Sequence, residues 1–294
     1  LFKLVDVLAK NMGIYFSELN SQNQLTQLSN VVKENLKTNW DIGFESSENG
    51  WRVILNSAKF SDIVELEGQN FDDEITLSDI NNLTKRWDRP EGINFDYGTA
   101  IGDYRNKNSV YVINRGYKLD GTQYDKKKLI IEEVNGAYYS IKYSDLNNLN
   151  VFSKTIYKNN NTNFQYFSFE NNSIVDVEPT NSPWDLVFSQ YTHLYDLTGP
   201  IPSYLVTGVL TNYLQNISVA EDTNYLFEEI TANILNEFYF TDEQDKIGYN
   251  WKDYSLNTST YIVNTNVNYI IKNSNNKYFK LRFIDFYNSG GQKG

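Results

Sequence analysis

A run of paired segments, repeated in order along the chain, limits what it can fold into more than any other feature. Trp40-Asp41-Ile42-Gly43-Phe44 returns as Trp184-Asp185-Leu186-Val187-Phe188. Upstream, Tyr15-Phe16-Ser17 answers to Tyr166-Phe167-Ser168. Downstream, Glu74-Ile75-Thr76 answers to Glu229-Ile230-Thr231, and Ile101-Gly102 to Ile247-Gly248. Tyr111-Val112-Ile113-Asn114 then pairs with Tyr261-Ile262-Val263-Asn264, and Tyr138–Tyr143 with Tyr278–Phe283. A fixed order at offsets of roughly 140 to 155 residues is the mark of a duplicated unit. The expected organisation is a first, mainly structural repeat over 1–148 and a second over 149–294, with the boundary near Asn147–Asn150. Each half is long enough to bury its own core.

The residue types say what kind of unit this is. There are 23 Tyr and 17 Phe, with Val, Ile and Thr plentiful beside them, and these side chains suit a pleated, half-buried surface. Asn clusters such as Asn159-Asn160-Asn161 and Asn273-Ser274-Asn275-Asn276 close Asx turns and accept left-handed backbone. A mainly β chain of antiparallel sheets, built from two homologous repeats with at least one short α-helix, is expected.

Local patterns place the elements. Trp40, Ile42 and Phe44 fall on one face at period two, Asn49-Gly50 supplies a turn, and Trp51–Leu55 returns as the partner strand. Trp184–Phe188 and Tyr204–Leu210 form the same pair in the second half. The best helix lies between Asp222 and Phe238, where Leu226, Phe227, Ile230, Ile234 and Leu235 approximate one face and Asp222 stands at the start. Gln24–Leu36 fits helical spacing, but its counterpart near Ser173–Val177 reads as a strand. Asp72-Asp73-Glu74 lacks a calcium-loop pattern and reads as a solvated turn.

The halves diverge at one connection. Phe44 to Val53 spans nine residues, whereas Phe188 to Val206 spans eighteen. The longer connection, Ser189–Ser203, holds the single histidine of the chain, His193. Tyr191 and Tyr195 lie two residues to either side, so a continued strand period projects all three from one face. Pro200 and Pro202 stiffen the return. Long connections on rigid sheets are where binding residues tend to be displayed.

Several function classes are disfavoured. A net charge of −11 opposes binding to phosphate backbones. No stretch has the ~20 apolar residues of a membrane-spanning helix. With no cysteine, disulfides, thiolate nucleophiles and thiolate metal sites are ruled out together. There is no Gly-x-Ser-x-Gly elbow, dinucleotide fingerprint, phosphate loop or paired-histidine motif. A non-enzymatic binding protein is expected. The chain begins at Leu1, which leads to the expectation of a trimmed leader.

Trp184–Phe188, the histidine connection, Tyr204-Leu205-Val206-Thr207-Gly208 and the closing Tyr278–Asn288 together resemble the HmuY-type haem-binding proteins, surface lipoproteins and haemophores of certain Gram-negative bacteria. The resemblance covers most of the second half and reaches the first through the repeat. It implies a largely antiparallel β fold with a helix, and a location on the outer-membrane surface, lipid-anchored, or in secretion. It further implies haem or another small planar ligand for delivery to an outer-membrane receptor. On that resemblance His193 is the candidate metal ligand, with Tyr191, Tyr195 and Tyr204 as further haem-binding residues. Family members commonly use two histidines, or histidine with methionine. This chain has one of each, and Met12 lies in the other half. The sixth iron position is left to water, to no ligand, or to a phenolate of Tyr195, Tyr204 or Tyr213. The alternative is a binding module on the same scaffold that takes a glycan, a peptide or a protein.

Overall fold

The computed structural model describes residues 4–6, 13–19, 31–92, 98–180, 184–287 and 290–291. Two compact units emerge: a larger one of residues 36–182 and 190–206, and a smaller one of 1–35, 183–189 and 207–294. The sequence boundary near Asn147–Asn150 falls inside the larger unit, in the turn between strands Tyr138–Ser144 and Phe152–Tyr157.

In the larger unit a five-stranded antiparallel sheet runs in the order Phe152–Tyr157, Tyr138–Ser144, Lys127–Val134, Ser109–Asn114, Asp62–Glu67. A second sheet runs Ser173–Val175, Phe164–Ser168, Ile42–Glu45, Val53–Leu55. Ile42, Phe44, Val53 and Leu55 from the second sheet share one buried core with Tyr111, Ile113, Tyr139, Ile141 and Tyr143 from the first. Period-two alternation had placed Ile42 and Phe44 on that inward face. One α-helix, Leu77–Ile80, is begun by a capping box between Thr76 and Asp79.

In the smaller unit Ser218–Asp222, Asn268–Lys272, Tyr278–Asp285 and Gly13–Glu18 form a four-stranded antiparallel sheet. Its core gathers Leu186, Phe188, Val219, Trp251, Tyr269, Leu281 and Phe283. The Trp251 ring stacks on Phe283 at 3.8 Å.

Two local devices occur in both units. After the strand Val53–Leu55, Asn56 donates from its amide to Asp41 O (2.9 Å) and from its side chain to Trp40 O (2.8 Å). The chain then makes a 3₁₀ turn at Ser57–Lys59, closed by left-handed Phe60 (φ 66°). After Ser203–Thr211, Asn212 makes the same two bonds to Asp185 O and Trp184 O, each 2.9 Å. A 3₁₀ turn at Tyr213–Gln215 and left-handed Asn216 (φ 58°) follow. The second device is a buried lysine. Lys128 donates to Phe71 O (2.6 Å) and Asp73 O (2.7 Å) with its ammonium over the Phe71 ring. Lys280 donates to Phe227 O (2.6 Å) and Ile230 O (2.9 Å) and sits over Phe227.

Register refines the segment matches read from sequence. Leu129 faces Tyr111 as Leu281 faces Tyr269, so Lys127–Val134 holds the position in its sheet that Tyr278–Asp285 holds in its own. The segment first matched to Tyr278–Phe283, Tyr138–Tyr143, stands one strand further out. Ser144 there faces Lys128, just as Ser17 of Gly13–Glu18 faces Lys280. Aromatic alternation marks such segments as strands but is blind to which neighbour each one pairs with.

The expected helix over Asp222–Phe238 is absent. Asp222 ends a strand and accepts from the amides of Asn224 (3.2 Å) and Tyr225 (3.0 Å), and only a 3₁₀ segment, Ala232–Glu237, follows. Lys280 takes the carbonyls of Phe227 and Ile230, which an α-helix would need for its own ladder. Phe227 and Ile230 are buried while Leu226 is exposed, so the apolar stripe is split. Of the ambiguous Gln24–Leu36 stretch, Val31–Lys33 is a strand and residues 24–30 lie outside the described residues. Met12 also lies outside them. Asp72, Asp73 and Glu74 are exposed, as a solvated turn requires.

Candidate functional site

The site is carried by one hairpin. Leu186–Leu194 and Ser203–Thr211 are paired neighbours in a sheet. The base of this hairpin belongs to the smaller unit and its outer part to the larger. The sequence reading of Ser189–Ser203 as one long loop is therefore corrected. The strand continues to Leu194, because Tyr191-Thr192-His193-Leu194 alternates and contains residues that favour extended backbone. The true tip is 195–202, closed by Tyr195 N donating to Pro202 O at 2.9 Å. Within the tip Asp196 accepts from the Thr198 amide (2.9 Å) and hydroxyl (2.6 Å), an Asx turn.

The closing bond sets the register. Two residues back from Tyr195 and Pro202, His193 lies opposite Tyr204, and two further back Tyr191 lies opposite Val206. Tyr191, His193, Tyr195 and Tyr204 thus share one face of the hairpin, and all four residues singled out from sequence are brought together there. Their environments are graded. Tyr191 is fully buried, His193 is half-buried, and Tyr195 and Tyr204 are 48% and 56% exposed. The His193 and Tyr195 rings meet edge to face with centroids 4.9 Å apart. On the opposite face Thr192 is buried and donates to Ser57 O at 2.8 Å, which anchors the strand. Tyr213 belongs to the 3₁₀ turn of the smaller unit and is buried.

A segment that sequence reasoning did not select acts on His193 through its charges. Asp88 accepts from the amides of Leu55 (2.6 Å) and Ala100 (2.7 Å), and burial raises its carboxyl to about 7 against those bonds. The corner that follows carries an ion pair, Arg89 Nη2 to Glu91 Oε1 at 2.8 Å. Burial pushes the His193 imidazole below its usual value of 6.5. Glu91 opposes that shift as the strongest charge acting on the ring, and Arg89 adds to it. About a hundred residues separate this corner from His193 in the chain, so no local spacing announces it.

The donor set fits a ligand that brings its own metal coordination. Among the described residues there is no group of three or more His, Cys, Asp or Glu able to hold a bare metal ion. A porphyrin iron already has four ring nitrogens and needs only an axial donor, which one imidazole supplies. The exposed Tyr195 and Tyr204 offer ring surface beside it. No described helix is long and apolar enough to cross a membrane.

By fold and site, this is a mainly antiparallel β protein that presents one imidazole and two tyrosines on a hairpin face. Residues 160–294 match the family model described as HmuY protein, so this portion of the chain, including the whole histidine hairpin, is HmuY-like. Neither the curated proteins nor the solved structures give a match.

Proposed function

We propose that the chain binds haem or a related porphyrin on the outer face of the 186–211 hairpin, with His193 as the iron ligand and Tyr195 and Tyr204 against the macrocycle. Tyr191 backs the imidazole from the interior. The observation that carries this reading is the HmuY match across the hairpin that holds the single histidine. The protein acts without catalysis, at the bacterial outer surface or in secretion, and hands its ligand to an outer-membrane receptor. On this reading its two units descend from one β unit, and only one descendant acquired the histidine. The shared Asn56/Asn212 and Lys128/Lys280 devices support that descent.

A hemin titration tests the reading. The wild-type chain is expected to give a Soret band that saturates at one equivalent, and His193→Ala to shift or abolish it with the fold intact by circular dichroism. The same spectrum in both proteins would remove His193 from the site. Iron takes neutral imidazole only, since the protonated ring has no lone pair to give. Because burial lowers the His193 pKa, affinity should hold from pH 8 through 6.5 and fall only in more acid solution. A constant dissociation constant down to pH 4.5 would count against histidine ligation.

A second reading rests on the tip, where Tyr195, Leu197, Ile201 and Tyr204 are all exposed. Such a patch also suits a peptide, glycan or protein partner. A failed hemin titration by a folded chain would favour it.

A further inference from the structure

The five-stranded sheet carries one strand more than its counterpart. Lys127–Val134 and Tyr138–Ser144 hold the positions that Tyr278–Asp285 and Gly13–Glu18 hold in the four-stranded sheet. Beyond them Phe152–Tyr157 forms an outer edge with no equivalent there among the described residues. Its inward residues serve the core: Ile156 is buried and Phe152 packs beside it. Its outward residues do not. Ser153 and Thr155 are exposed, and Tyr157 is 68% exposed.

Register sets what stands beside them. Tyr157 pairs with Tyr138 and Thr155 with Ser140. The two tyrosine rings meet at 69° with centroids 6.3 Å apart, so they form a corner of two aromatic walls. The next strand is bulged between Ile131 and Glu133. Strict alternation would send Glu132 and Glu133 to opposite faces, and the bulge re-aims them. Glu132 accepts from the Ser140 hydroxyl (3.0 Å) and Glu133 from the Tyr138 hydroxyl (3.1 Å), which stand on the same outward face. Both carboxylates are exposed, and their side-chain donors are neutral, the third being the Asn135 amide (2.8 Å). Elsewhere on this face Val110 and Val112 are covered by Phe71, Ile75 and Ile80. The covered half is apolar, whereas the open half is aromatic, hydroxylated and acidic.

We propose that this open face binds a neutral glycan, with a pyranose ring stacked in the Tyr138–Tyr157 corner and its hydroxyls donating to Glu132 and Glu133. A pyranose with equatorial hydroxyls has apolar C–H faces and a rim of O–H donors. An aromatic ring covers such a face, and ionised carboxylates, which only accept, take the rim donors. Charge fixes the class of sugar: two carboxylates on a chain of net charge −11 repel sulfated, phosphorylated and uronic-acid ligands. None of these residues belongs to the 186–211 hairpin, so the proposal stands apart from the haem reading.

Affinity electrophoresis of the full chain tests it, in gels containing a mixed-linkage β-glucan, a galactomannan or, as the anionic control, polygalacturonate. Retardation by at least one neutral polymer and none by polygalacturonate is expected. Tyr157→Ala should raise the dissociation constant about tenfold, and Glu133→Gln should raise it less, because its amide oxygen still accepts. Tyr157 is exposed, so its truncation should leave the melting temperature and the hemin titration unchanged. No retardation by either neutral polymer, retardation by polygalacturonate, or wild-type binding by Tyr157→Ala would overturn the inference. A dimer in sedimentation that Tyr157→Ala dissolves would give the face to a second copy and overturn it as well.

Discussion

Asp41→Ala is expected to destabilise the larger unit by about 3–5 kcal/mol, the usual cost of breaking a buried ion pair by removing one partner. Asp41 is the anionic centre of a buried cluster. It accepts from Arg115 Nε (3.0 Å) and Nη2 (3.2 Å) and from the Phe169 amide (2.7 Å), and Lys59 Nζ contacts its Oδ1. The Lys59 and Arg115 side chains are almost wholly buried, and both lie over the Tyr124 ring. Without Asp41, Arg115 keeps Glu170 (2.8 Å), which is largely exposed, and among the described residues Lys59 keeps Trp40 O (3.4 Å) and the ring. Two buried cations would then face each other with one solvent-screened partner. Asp41→Asn retains an acceptor for the Phe169 amide and should cost less. Urea denaturation of the three proteins measures the order; equal midpoints for wild type and Asp41→Ala would contradict it.

Lys280→Met should cost about 2–4 kcal/mol, since two buried carbonyls lose a charged donor at once. Methionine fills much of the lysine stem's volume, so the loss reports the ammonium rather than a cavity. Phe227 O and Ile230 O have this donor in place of a helical ladder. Hydrogen exchange in 226–231 should therefore accelerate well beyond the average for the unit. Protection unchanged in that segment would show that the lysine does not hold it. Lys128→Met is expected to act in the same way on 71–74, where the ammonium also meets Asn148 Oδ1.

Much of this fold could be read before any coordinates, because period-two alternation is a local property. Ile42 and Phe44 point inward as their spacing requires, Asn49-Gly50 lies in the connection between its two strands, and the common face of Tyr191, His193 and Tyr195 follows from the same rule. Pairing is not local. Nothing in the composition of Tyr138–Ser144 distinguishes it from Lys127–Val134 as the strand beside Ser109–Asn114; only the register does. The lost helix at 222–238 has the same origin, since the ammonium that claims its carbonyls comes from a strand some fifty residues away. For the candidate site, the shared face of the hairpin residues was legible from their spacing, while the charges of Glu91 and Arg89 act on His193 only through the fold. The tip was misjudged in extent because prolines at 200 and 202 mark a turn but do not say where its first strand ends.

The central claim, that His193 meets a porphyrin face to face with its metal, is tested most directly by nuclear magnetic resonance with a diamagnetic gallium(III) protoporphyrin. A ligand atom beneath a porphyrin centre lies in the strongest part of the ring current. The only imidazole of the chain should move far upfield on addition of one equivalent, with smaller shifts for Tyr195 and Tyr204. Porphyrin bound with the imidazole resonances left where they were would contradict the account.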